Sequence, residues 1–464
     1  MRRLVGLVGA LVLVGVLGVL GSGPPLQAGS SVKLGNAAQG APAAVAVRIS
    51  PVGNDVTCVR NLATRPCATF NKAYSIARCG DTIEVAAGVY PGQTITEVAS
   101  LSACSANVTF QPASGASVTL DYLVFGFCQG CWASNAADRV TVKGMTVTGN
   151  VNVWGDADNV VIDGIAGGSF LVQGASNVTV RNSDFGPCPS SPEVCSRFFI
   201  LDGRNAGEPP TTNILIENNT IHDYLLTREG DHWECIFATG GTRVTIRGNR
   251  FDNCQTYAIA LGENGYSEFD GWVIENNWFG RTCCFGTSDR ASAIKFGEKS
   301  EISDIVIRNN TFLRGQGVVV EDGPPARNVL VERNILQFTG CVPGVRYRQN
   351  LFVGGRCSPD DRESVYGYQF DGTRLRLDAP RAEAVRAAFL SVDQGMTTRA
   401  TARLLARKGF PPPPGSWNRV TVGRLLTDDF YLGRRLGRWS EHAPLVGGKR
   451  WRAVQKVLKN SPKS

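Results

Sequence analysis

Histidine is scarce: three in 464 residues, and none is spaced with cysteine as in a zinc finger. That removes finger-type metal sites from consideration. There is no heptad pattern, and few stretches read as long amphipathic helices, which excludes a coiled coil or a helical repeat. Cysteine is absent from the last 107 residues although the chain has 14, so any disulfide framework ends at Cys357. What is abundant is a phrase. Copies such as "NILIENNTI", "RVTIRGNRF", "WVIENNWF", "DIVIRNNTF", "NVLVERNIL" and "VRYRQNLF" carry Asn219, Asn249, Asn277, Asn310, Asn334 and Asn350 at one shared position.

Each copy reads as a short alternating strand, a turn at the asparagine and one more buried residue. Weaker copies place Met145, Ile165 and Ser183 at the same position. The nine positions are separated by 20, 18, 36, 30, 28, 33, 24 and 16 residues. A stacked coil takes roughly 20–25 residues, so the longer gaps carry inserted loops. Asparagines one coil apart would sit about 4.8 Å from each other and pass hydrogen bonds along the stack. The sequons at Asn177, Asn218 and Asn309 are read as part of this pattern rather than as glycosylation sites.

These repeats resemble the right-handed parallel β-helix of the pectin-lyase-like superfamily. The segment Gly53–Gly92 resembles the start of that fold, with a short capping helix near Ala68–Ala77 and a first strand pair in "GDTIEVAAGVY". The resemblance covers Gly53 to Arg356. It implies an all-β, single-stranded, right-handed parallel β-helix, followed here by a small basic α-helical C-terminal domain. Many chemistries share the scaffold, so function has to come from a site.

Arg2 and Arg3 precede an apolar run from Leu4 to Leu20, and residues 1–28 read as a signal peptide. Residues 29–49 read as a linker, 50–360 as the β-helix and 380–464 as the basic domain. Export makes disulfides expected. Cys58–Cys67, Cys79–Cys104, Cys188–Cys195, Cys235–Cys254 and Cys341–Cys357 are the natural local pairings.

A second strand follows each turn. Aligning "RFFILDG", "ECIFATG", "YAIALGE", "SAIKFGE" and "GVVVEDG" puts Phe199, Ile236, Ile259, Ile294 and Val318 inward. It also puts Glu263, Glu298 and Asp322 in one column. Such a column repels itself unless Lys295, Lys299 or a bound Ca²⁺ offsets the charge. A cluster of His222, Asp223, Arg228, Glu229, Asp231, His232 and Glu234 lies in the inserted loop of one coil. Histidine there suits proton transfer. Loops stacked on one side would wall a groove, with Tyr224, Trp233, Tyr257, Tyr266, Trp272 and Trp278 nearby, although Trp272 and Trp278 sit partly in core-facing repeat positions. On this reading Glu263, Glu298, Lys295, His232, Asp231 and Tyr257 are candidate catalytic residues. Arg290, Trp233 and Asp322 would touch substrate.

Relatives with this fold cleave or epimerise acidic polysaccharides, which implies a lyase or glycosidase. The paired aspartates of pectin-hydrolysing relatives are not recognisable here. The leading reading is therefore a secreted β-helix that binds or cleaves extracellular polysaccharide, with a non-enzymatic surface or adhesion protein as its rival. From Arg381 to Ser464 there are 17 Lys and Arg against 5 Asp and Glu, while the whole chain is +8. Helices are expected at Ala384–Val392, from Thr397 or Thr398 to Lys408, and at Val420–Leu426. "ARLLARKGF", the proline turn, "VTVGRLL" and "YLG" resemble the recombinase domain of large serine recombinases. The catalytic serine domain of that family has no counterpart, which excludes strand exchange. The resemblance implies contact with DNA. For an exported chain, anionic envelope polymer is the other partner, held by Arg399, Arg403, Arg407, Lys408, Arg419 and Arg424.

Overall fold

The computed structural model describes residues 45–126, 135–187, 198–201, 209–224, 234–262, 267–280, 294–297, 300–312, 317–320, 326–337, 341–342, 344–353, 357–358, 365–370, 375–413, 416–432 and 443–460. The expected signal peptide and most of the linker lie outside them. The first strand, Val45–Ile49, starts inside the stretch expected as linker and pairs in parallel with Thr82–Val85.

The chain forms a parallel β-helix. Strands preceding the turn stack coil on coil into one sheet that runs from Val45–Ile49 to Val345–Arg348. Strands after the turn make a second row, from Gly88–Tyr90 to Leu351–Val353. A third row runs from Gln93–Ile95 to Val318–Val320. Two long strands, Thr146–Trp154 and Ala166–Gln173, bend through both later rows. Alternation along every strand sends one residue in two into a single core. Inside it, Phe251, Phe279 and Phe312 stack with centroids 5.0 and 4.6 Å apart.

The asparagine position is where the coils lock together. Asn219, Asn249, Asn277, Asn310, Asn334 and Asn350 are all buried. Each Oδ1 from Asn249 onward accepts two bonds from the preceding coil. For Asn277 these are the backbone N–H of Asn249 at 2.9 Å and its Nδ2 at 3.1 Å. Each Nδ2 also donates to a backbone carbonyl, as Asn277 does to Ile246 at 2.8 Å. The ladder ends at Ser183, whose hydroxyl accepts from the Ile165 N–H at 3.0 Å. Met145 and Ile165 are buried apolar residues at the same place.

One residue before the ladder lies a left-handed turn, occupied by Gly144, Gly164, Asn182, Asn218, Gly248, Asn276, Asn309, Arg333 and Gln349. Asparagine tolerates this conformation because its short side chain bonds locally, and glycine because it has no Cβ. The sequon residues Asn218 and Asn309 belong to this column and not to the ladder. Asn177, also left-handed, belongs to a third column at the strand start. The structural reading of these sequons thus stands on backbone conformation rather than on the amide stack.

Two residues before the ladder the outward side chains alternate in charge. Lys143, Asp163, Arg181, Glu217, Arg247, Glu275, Arg308, Glu332 and Arg348 lie in one register. Arg181–Asp163 closes at 3.0 Å, Arg247–Glu217 and Arg308–Glu275 at 2.7 Å each, and Arg348 meets Glu332. The first three pairs are partly solvent-exposed and contribute at most about 1 kcal/mol each, whereas Glu332 is buried beneath Arg348.

The helix Phe70–Ser75 plugs the N-terminal end, as expected. Thr69 caps it, accepting from the Lys72 N–H at 3.1 Å, and Phe70 stacks on Phe110 at 5.0 Å. Cys58–Cys67, Cys79–Cys104, Cys235–Cys254 and Cys341–Cys357 are bonded as read from sequence. Cys188 and Cys195 lie outside the described residues.

At the C-terminus the helices are Ala379–Asp393, Thr398–Arg407 and Arg419–Leu426. Thr397 caps the second. Asn418 and Thr421 close a capping box on the third. A fourth helix, Gly448–Asn460, was not expected. They bury their own core around Val385, Phe389, Leu405, Val422, Leu426 and Val454.

Asn277→Ala removes the acceptor of the Asn249 N–H and Nδ2 and the donor to Ile246. Leaving buried polar groups unmet costs about 1–3 kcal/mol each, so the variant loses about 3 kcal/mol or more in urea unfolding. Asn276→Gly, one residue away, changes stability by less than about 0.5 kcal/mol because glycine accepts its left-handed backbone. Equal losses at the two positions would remove the ladder from this role.

Asp81 supplies a pH dependence. Burial alone would raise its carboxyl. Hydrogen bonds from Arg60 and from the Arg78 N–H outweigh that and hold it below the ordinary carboxylate range. The folded state thus binds its proton less readily than the unfolded state. Its contribution is present above about pH 4 and is lost as pH falls below that. Thermal unfolding of Asp81→Asn accordingly shows a shallower loss of Tm on acidification than the parent, and an identical slope would refute this.

Candidate functional site

The pairing of the third row corrects the sequence alignment by one residue. Phe198, not Phe199, pairs with Ile236 and points inward. Phe199 pairs with Phe237. A one-residue slip exchanges the two faces of a strand, and "FF" offers periodicity no way to choose. From Ile236 onward the expected inward set holds: Ile259, Ile294 and Val318 follow in register, with Ala238, Leu261 and Phe296 two residues on. Glu263, Glu298, Asp322, Asp231, His232, Trp233 and Arg290 all lie outside the described residues, and so do the loops expected to wall a groove. Among the described residues no group of His, Cys, Asp and Glu could hold a metal ion. The Ca²⁺ expectation rests on carboxylates beyond them.

Two of the expected residues are described and lie together. The Lys295 ammonium is 5.0 Å from the centroid of the Tyr257 ring, and Lys295 is buried. Tyr224, expected among the loop aromatics, is instead fully buried, and Trp272 is fully buried in line with its core-facing repeat position. Tyr224 donates to Gly168 O at 2.8 Å, and burial pushes its hydroxyl far above the usual range. Trp272 donates to Gly241 O at 2.7 Å.

The richest described surface is on the second row. The residue directly after each ladder position points outward. These are Asp184, Thr220, Arg250, Trp278 and Thr311, paired in that order. Two residues further along the strand lie His222 and Asp252, also paired. His222 has a carboxylate at each ring nitrogen: Asp223 Oδ2 at 2.6 Å from Nδ1 and Asp184 Oδ1 at 3.0 Å from Nε2. The tautomer decides which carboxylate the ring donates to. Asn253 in turn donates to Asp223. Asp223 and Asn253 both have left-handed backbones, at φ 56°, so the strand bends just past the histidine.

Beside this group, Arg250 reaches Asp252 at 2.9 Å and lies 4.2 Å over the Trp278 ring. The indole extends over Gly280, where a Cβ would meet its Cζ3 at 2.4 Å and Asp252 Oδ1 at 2.5 Å. Gly186 makes room in the same way, since a Cβ there would sit 2.0 Å from the His222 carbonyl oxygen. The arrangement offers an aromatic face, a guanidinium, an imidazole and three carboxylates on one exposed surface. Of these, the sequence had pointed to His222 and Asp223. Trp278 was also named among the aromatics beside the expected groove, whereas Asp184, Arg250 and Asp252 were missed. The signal was available as the first and third positions after each ladder residue.

In the helical domain, all six expected cations are exposed. Arg399, Arg403 and Arg407 recur every fourth residue on the helix Thr398–Arg407, opposite buried Thr401, Ala402 and Leu405. This domain also reaches the β-helix. Ile335 and Leu351 continue the outward column beyond Thr311, yet they are buried and belong to the helical core with Tyr368, Val385 and Phe389.

Residues 149–348 match the family described as right handed beta helix region, and residues 380–461 match the family described as recombinase. No curated protein matches the chain in sequence. Among solved structures, a pectate lyase is 16% identical over 80% of this chain and 89% of its own, with a TM-score of 0.36. A surface adhesin of Streptococcus pneumoniae is 11% identical over 58% and 81%, at 0.35. An endo-xylogalacturonan hydrolase from Aspergillus tubingensis is 14% identical over 62% and 92%, at 0.32. Likeness at this level says nothing about function.

Proposed function

We propose that the outer face of the second row binds polysaccharide at the cell surface or in the extracellular medium. The observation that carries this is the Arg250–Trp278–Asp252 group beside Asp184, His222 and Asp223. An indole offers a flat apolar face to a sugar ring, while carboxylates and a guanidinium bond its hydroxyls. An oxidising compartment fits the bonded cysteines. A catalytic form of the same reading is lyase- or glycosidase-like. In it His222 moves a proton between the sugar and a flanking carboxylate, and Glu263, Glu298 and Asp322 hold Ca²⁺. Affinity electrophoresis against a panel of uronate and neutral polysaccharides is the test. Retardation by at least one polymer is expected. Trp278→Ala and Arg250→Ala should each weaken it about 10-fold, the effect of roughly 1.4 kcal/mol. Retardation unchanged in both variants would defeat the reading. New reducing ends or ultraviolet-absorbing unsaturated products, lost on adding chelator, would establish the catalytic form.

A second reading concerns the helical domain. Its exposed arginine stripe on Thr398–Arg407, with Lys408, Arg419 and Arg424, would hold an anionic polymer, whether envelope polysaccharide or DNA. The full chain should retard a DNA fragment at low salt and release it as salt rises. Replacing Arg399, Arg403 and Arg407 together by Ala should abolish that shift. A shift that persists in the triple variant would locate the contact elsewhere.

A further inference from the structure

Resting on the polysaccharide reading, we infer that Tyr122 is a second sugar-stacking platform, so that the second-row face holds one extended chain from Tyr122 to Trp278 along the axis of the coils. Leu123, the residue after Tyr122, is buried, and alternation turns the tyrosine outward. Its ring lies on Gly92 of the preceding coil. A Cβ at residue 92 would fall 1.9, 2.1 and 2.3 Å from the ring atoms Cε1, Cζ and Cδ1. Three successive ring atoms at nearly one distance put that point over the face of the ring rather than at its edge. Gln93 is buried, so a side chain at 92 would project outward, and the ring lies flat over that spot. One ring face rests on glycine backbone and the other is turned to solvent, which leaves Tyr122 45% exposed.

Strand pairing joins this platform to the Trp278 group. Thr119 pairs with Thr146 and Thr146 with Ala166, and the column continues through Asp184, Thr220 and Arg250 to Trp278. Tyr122 stands three residues past Thr119, on the side where His222 and Asp252 stand two residues past Thr220 and Arg250. The outward positions of the next two coils hold Thr146, Thr148 and Ala166, all small and exposed. Beyond them come Asp184 and His222. Hydroxyls of a sugar chain can bond along this stretch while a sugar face stacks on the ring of Tyr122. The coils of Tyr122 and Trp278 are six pairing steps apart, or about 29 Å at about 4.8 Å a step. A pyranose advances an extended chain by roughly one such step, so the occupant has roughly six sugars or more.

The experiment titrates the full chain calorimetrically with fragments cut from the polymer that binds in the panel above, polygalacturonate being its uronate member and xylan its neutral one. Fragments longer than the span between the rings should bind more tightly than shorter ones. Tyr122→Ala should weaken the longer fragments about 5- to 10-fold and leave the shorter ones, held by the Trp278 group, at parental affinity. Tyr122→Phe keeps the ring and should bind as the parent does. Gly92→Ala puts a methyl group where the ring lies and should reproduce the loss seen in Tyr122→Ala. Parental affinity of Tyr122→Ala for long fragments would overturn the platform while leaving polysaccharide binding intact, and so would an equal loss at every length. Binding of no polymer would overturn both readings.

Discussion

A carboxamide buried in a bend has to find partners within the protein, and here it finds them only in the neighbouring coils. Each ladder asparagine from Asn249 onward accepts from the backbone and the side chain of the coil before it, and Asn219 accepts from the Ser183 N–H. The turn therefore forms correctly only when adjacent coils are in register. Other columns inherit that register. The residue before the amide must be left-handed, the residue two before it faces out on the first sheet, and the residue after it faces out on the second row. One hydrogen-bonding requirement thus indexes the surface as well as the core.

That dependence explains what could be read from the chain. A stack that repeats one residue type leaves a periodic signature, so the coils followed from spacing and four described disulfides from proximity, while the capping helix followed from the family resemblance of Gly53–Gly92. The functional face leaves no such signature. Its column reads Asp, Thr, Arg, Trp, Thr, and no two neighbours share a type. Only the ladder offset identifies these residues as companions. Chemistry-rich clusters were also deceptive at single positions: Tyr224 adjoins His222 and Asp223 but faces the core. The helix Gly448–Asn460 was overlooked because its many cations hide a thin apolar stripe around Val454.

The helical domain shows how a covered surface differs from an exposed one in the same repeat. Ile335 and Leu351 occupy positions that earlier coils fill with aspartate, arginine and tryptophan. On a bare β-helix they would be apolar residues facing water. Their burial against Tyr368, Val385 and Phe389 joins the two parts through side chains. The exposed arginines of Thr398–Arg407 lie on the face of that helix opposite its buried residues. Packing and polyanion contact can therefore coexist in the one domain.

The alternating charges of the first sheet impose a parity rule on how this molecule could lengthen or shorten. Excising the single coil of Glu275 would bring Arg247 against Arg308, like sign on like sign. Excising the coils of Arg247 and Glu275 together would leave Glu217 against Arg308, an attractive contact. Duplication of coils in pairs preserves the pattern, while duplication of one breaks it at the seam. A change of length that keeps the alternation intact therefore comes in steps of two turns of the chain, although the unit of structure is one.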